Sequence, residues 1–120
     1  MDYEYSVIGS IFCNAETLAT VAESTEFKYK NYTFSLRKFS AQISVNLRDN
    51  SADTSISKNI LEADVSTVCK QLSEKYACKV AMRKGYEVYG NANVFNGGSD
   101  YEVIEEKWFT VEFNNGVQTI

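Results

Sequence analysis

Any chemistry in this chain has to come from carboxylates, cysteines and tyrosines, because it contains no histidine. Without an imidazole, the Ser-His and Cys-His nucleophilic pairs and histidine acid–base mechanisms drop out. Glu102, Glu105, Glu106 and Glu112 lie close together, and on one strand Glu102, Glu106 and Glu112 would share a face. Carboxylate catalysis is conceivable there, but like charges along a strand more simply point into water. A cysteine nucleophile needs a lowered pKa, and Lys70 beside Cys69 or Lys79 beside Cys78 is a poor substitute for a positioned base. The three cysteines, Cys13, Cys69 and Cys78, are odd in number and form no CxxC pair. Neither a disulfide framework nor a usual zinc site follows from such spacing. They read as buried, reduced thiols, and no catalytic residue, metal or cofactor is expected.

Binding chemistry has better material. Lys28, Tyr29, Lys30, Tyr32, Arg37 and Lys38 interleave bases with aromatics, a pattern suited to phosphate contacts plus base stacking. An edge strand protected by lysines gives the same pattern. A second stretch, RKGYEVYGNANVFNGGSD from Arg83 to Asp100, starts basic, carries Tyr86 and Tyr89, and ends in glycines. Within it, Lys84-Gly85-Tyr86-Glu87-Val88-Tyr89 resembles the octapeptide on the third strand of RNA-recognition motifs, where alternating aromatics stack on bases. The resemblance covers these six residues, with Glu87 where a small residue is usual, Val88 in place of an aromatic, and no partner motif in Tyr5 to Phe12. Asn96-Gly97-Gly98-Ser99 leads into a strand, whereas phosphate-cradling loops lead into a helix. The sequon Asn31-Tyr32-Thr33 would matter only in a secreted protein.

The elements that must position these residues fit one domain spanning 1–120, with 44% apolar and 13% aromatic residues to build a core. Asp2 and Glu4 stand where a secretory signal would be basic, and no apolar run approaches the roughly 20 residues of a membrane span. A cytoplasmic protein without membrane contact is expected. Net charge is −4, unevenly spread: Glu26 to Arg48 carries five bases and one acid, Glu87 to Ile120 six acids and one base. Bulk acidity argues against nonspecific wrapping of DNA, which is driven by neutralising phosphates.

Period-2 alternation predicts a strand from Asp2 to Cys13, apolar on both sides and therefore central. Asn14 is positioned to cap a short helix ending near Glu23. Tyr32, Phe34 and Leu36 alternate out of phase with Phe27 and Tyr29, which places a bulge or shifted start near Lys30 and Asn31. Arg37-Lys38 must turn or kink before a half-buried strand carrying Phe39, Ala41, Ile43, Val45 and Leu47. Asp49 to Ser57 reads as loop. Asp64 is the expected N-cap of the main helix, whose stripe is Val65, Val68, Cys69, Leu72 and Tyr76. Asn96-Gly97 and Asn115-Gly116 are hairpin turn dipeptides. A bulge is expected where Glu105 and Lys107 interrupt the face shared by Tyr101, Val103, Phe109, Val111 and Phe113.

The resulting expectation is an α+β fold of order β-α-β-β-α-β, ferredoxin-like or split βαβ. A mostly antiparallel sheet would carry two helices on one face and an added C-terminal hairpin or meander. The function expected is a non-catalytic, acidic protein-binding module. By analogy, its small size, acidity and lack of histidine suit a phage or mobile-element inhibitor of a host defence complex that handles nucleic acid. The alternative is a single-stranded nucleic-acid-binding domain. The residues expected to meet a partner are Lys28, Lys30, Tyr32, Arg37, Lys38, Arg83, Lys84, Tyr86, Tyr89, Asp100, Glu102, Glu105 and Glu106. Nothing in the sequence sets an oligomeric state.

Overall fold

The computed structural model describes the backbone of residues 2–49, 54–93 and 99–120, and the side chains of all of these except 2, 91–93 and 99–103. In chain order the elements are β1 (Asp2–Phe12), α1 (Ala15–Thr20), β2 (Ser24–Tyr29), β3 (Tyr32–Lys38), β4 (Ile43–Leu47), α2 (Ser55–Asn59), α3 (Glu62–Lys75), β5 (Lys79–Asn93), β6 (Ser99–Asn114) and β7 (Val117–Gln118). The fold is α+β: a seven-stranded sheet, ordered β2-β3-β4-β1-β5-β6-β7, with three helices among the described residues. β1 lies at the middle of the sheet, as its two apolar sides predict.

Residues directly opposite in neighbouring strands point to the same side, so the register assigns each side chain to a face. On one face Val7 and Ile11 (β1), Phe34 and Leu36 (β3), Ile43 and Val45 (β4), Val80 and Met82 (β5) and Val111 (β6) are all buried. α3 lays Val65, Val68, Cys69 and Leu72 on them, and α1 adds Leu18. The helical stripe expected from spacing is thus the one that packs, with Tyr76 half-buried at its end. Among the described residues, no helix is long and apolar enough to cross a membrane.

The expected βαββαβ order is not the one observed, for two reasons. The phase break at Lys30-Asn31 is a full hairpin turn, with Lys30 at a φ of 53°, so β2 and β3 are separate strands. All neighbouring strands run antiparallel, whereas a βαβ unit joins parallel ones. The chain reverses after Lys38, not at it. Phe39 N–H donates to Gln42 O at 2.8 Å, leaving Phe39 and Ala41 exposed outside β4. α1 stops at Thr20, before the expected Glu23, because Val21 is already extended. Part of the expected loop is helical: Asp49 accepts from both the N–H (2.9 Å) and the hydroxyl (2.7 Å) of Ser57 within α2. Leu61, not Asp64, is the N-cap of α3. Asp64 sits inside the first turn, still near the positive end of the helix dipole, and receives Lys30 Nζ at 3.0 Å and Tyr29 OH at 3.3 Å.

At the other end of the sheet the register between β5 and β6 shifts at Val88/Tyr89, with an extra residue on β6 at Ile104. That is the bulge expected beside Glu105. Asn115 and Gly116 form the closing turn with φ of 46° and 86°. Asn96-Gly97 lies outside the described residues.

Candidate interaction face

Among the described residues the three helices pack on the core face, and the opposite face of the sheet carries no helical layer. Its floor is small and polar at the centre, where Ser44, Ser10 and Ala81 stand in register across β4, β1 and β5. Apolar and aromatic groups interrupt that floor. Phe12 is 43% exposed, and Ile8 and Trp108 are half-buried. Ile8, Ser10, Phe12, Ala81, Arg83 and Thr110 line a shallow groove of about 300 Å³.

Trp108 is the anchor of this face. It lies directly opposite Gly85, where a Cβ would come within 1.9 Å of Lys107 O and 2.8 Å of Trp108 Cε3. Only a glycine lets the indole settle onto the β5 backbone, the way aromatic residues cover sheet glycines. Arg83 then stacks its guanidinium 4.1 Å from the ring centroid. The indole Nε1 is shielded and has no hydrogen-bond partner among the described residues. At the other end of the groove Lys79 lies 5.2 Å from the Phe12 ring centroid and 3.8 Å from Glu112.

Charge on this face is segregated and balanced. Lys28, Arg37, Arg48, Lys79 and Arg83 share it with Glu4, Glu26, Glu87, Glu106 and Glu112. Arg48 is neutralised by Glu26 at 2.6 Å. Glu4, Glu87 and Glu106 stand opposite one another on three adjacent strands at the far end. Tyr89 belongs to this acidic end, donating its hydroxyl to Glu87, and that bond holds the phenol pKa above its usual value.

The residues singled out in the sequence are dispersed by this geometry. Lys28, Arg37, Arg83, Tyr89 and Glu106 reach the open face. Lys38 points to the core side and donates to Leu18 O (3.1 Å) and Val21 O (3.0 Å), closing the end of α1. Lys84 likewise donates to Ile60 O, and Lys30 is held by Asp64. Those three lysines stitch elements together instead of forming a strip. Tyr32 packs against the core. Tyr86 and Tyr89 are on opposite faces: Tyr86 bonds Glu105 at 2.9 Å and meets the rings of Tyr3 and Tyr5 at 5.3 and 5.5 Å. Asp100 and Glu102 lie on the β6 backbone, but their side chains fall outside the described residues.

Comparison with known protein families, curated proteins and solved structures found no match. Phe12, Lys79 and Trp108 are not among the residues the sequence led us to expect at a partner surface. The pointer to Phe12 was there, in the second apolar side of β1. Trp108 had none, because its role depends on Gly85 across the sheet.

Among the described residues, no group of three or more Cys, Asp or Glu side chains is placed to hold a metal ion. Cys69 is out of reach of solvent: it is fully buried, burial pushes its pKa up to about 12, and it donates to Val80 O at 3.2 Å.

Proposed function

We propose that this protein is a non-catalytic module that binds a protein partner on the helix-free face of its sheet. The observation carrying the proposal is Trp108, seated on Gly85 and covered by Arg83 beside a groove walled by Phe12. Trp and Arg are among the residue types enriched at the binding hot spots of protein interfaces. An apolar side chain of the partner fills the groove. Its basic groups meet Glu4, Glu87 and Glu106, and its acidic groups meet Arg37 and Arg83.

Phosphate-rich partners fit this face less well. A nucleic-acid groove needs a surplus of cations along the backbone path, and here the five cations named above share the face with five carboxylates. The aromatic–cation pairs still make stacking on bases the reading to test against.

The test uses the purified chain immobilised in a nuclease-treated extract, beside Trp108→Ala and Arg83→Glu. A protein retained by the parent chain and lost from both variants is the expected result. Single-stranded DNA or RNA binding at physiological salt, lost on combining Lys28→Glu with Arg83→Glu, overturns the reading in favour of nucleic acid.

A further inference from the structure

The register of β1 against β5 runs Ile11 opposite Val80 and Phe12 opposite Lys79. One step beyond the end of that ladder, the same register would set Cys13 opposite Cys78. Both continue the core-facing phase of their strands: Cys13 is 7% exposed within the core cluster, and Cys78 is half-buried against it. Directly opposed residues of an antiparallel pair have Cα atoms about 4.5–5.5 Å apart, inside the roughly 4.4–6.8 Å that a disulfide spans.

We propose that Cys13 and Cys78 are an oxidation site, a dithiol that closes to a cross-strand disulfide. The electrostatics of the two thiols agree with the register. The Cys78 thiol is pushed up to about 11, first by burial and then by Cys13, and the Tyr76 phenol, raised mainly by burial, senses both thiols. The backbone on the Cys78 side is fixed, its N–H donating to Ser73 O at 3.1 Å and its carbonyl accepting from Asn115 N–H at 3.2 Å. Cys69, on the core side of α3, is fully buried with its thiol on Val80 O.

The oxidant is a small-molecule disulfide of the glutathione class. Cys78, the more exposed thiol, loses its proton and attacks one sulfur of the reagent. The reagent's S–S bond breaks, and one thiolate leaves. Cys13, deprotonated in turn, attacks the Cys78 sulfur of the mixed disulfide and displaces the second thiolate. The two cysteine protons end on the two released small thiols, whose sulfurs have taken up the two electrons lost by Cys13 and Cys78. Phe12 and Lys79, the next pair along, face the open side, so closure fixes the spacing of one end of the groove.

The folded chain is equilibrated with mixtures of reduced and oxidised glutathione, quenched in acid and peptide-mapped. The expected result is a single intramolecular link between Cys13 and Cys78 that rises with the oxidised share and reverses with dithiothreitol. Free thiols fall from three to one, Cys69. Cys13→Ser is expected to stop at a glutathione adduct on Cys78. A native map with only adducts, with links to Cys69, or with links between chains overturns the proposal. Because the map of the parent chain decides the matter alone, a variant that fails to fold does not shield the proposal.

Discussion

At the scale of single residues, Gly85 and Trp108 form one unit. Gly85→Ala puts a methyl where Lys107 O and the indole already are. It is expected to cost about 1–3 kcal/mol in urea unfolding, the usual range for overpacking. Trp108 is the only tryptophan, so its fluorescence reports this site alone. Arg83→Ala uncovers the ring and is expected to shift its emission to the red while leaving stability nearly unchanged, since an exposed cation–π contact is worth about 0.5–1 kcal/mol. If the emission stays put, Arg83 does not cover the indole in solution. Asp64 is a different case, because Lys30 and Tyr29 both converge on its nearly buried carboxylate. Asp64→Ala leaves these two donors to water, and a lowered urea midpoint in the same assay is expected.

At the scale of elements, the β6–β7 turn is tied to α3 by a bond that sequence spacing could not announce. Gly116 N–H donates to Ser73 Oγ at 2.9 Å, and Ser73 is fully buried. Ser73→Ala is expected to cost about 1–3 kcal/mol by leaving that N–H without its acceptor, and amide exchange at Gly116 should speed up correspondingly. The elements themselves were largely readable. β1, the α3 stripe and the Asn115-Gly116 turn follow from period-2 alternation, helical spacing and a dipeptide tolerant of positive φ. The β2–β3 hairpin was misread because its turn, Lys30-Asn31, lacks glycine, and the sequence showed only a phase break. The basic strip failed for a related reason: alternation sends Lys28 and Lys38 to opposite faces once Lys30 becomes a turn. Which lysines serve as internal ties depends on carbonyls at Leu18, Val21 and Ile60, distant in sequence and brought near only by the fold.

At the scale of the whole molecule, two measurable properties follow. The chain is elongated, 51 × 29 × 28 Å with a radius of gyration of 16.3 Å, against about 14 Å for a compact domain of this length. The excess lies along β5 and β6, which outrun β1, so small-angle scattering should give an asymmetric distance distribution. The second property is alkaline sensitivity. The Cys69 and Cys78 thiols are raised from 9.0 to about 12 and about 11, so the fold favours their neutral forms. Stability from this source is full below pH 9.0 and is lost as pH rises through those folded values. The thermal midpoint should therefore fall above pH 9, and Cys69→Ala should flatten that fall while lowering the midpoint at neutral pH.

The central position of β1 has a kinetic side as well. It comes before the other six strands of the sheet in chain order, yet its neighbours are β4 and β5, so its ladder with Lys79 to Tyr89 waits for most of the sheet's residues. Pairings at such separation make folding slow, in the range of about milliseconds to seconds. Until then β1, apolar on both sides, has only β4 to pair with, and its β5 edge stays open.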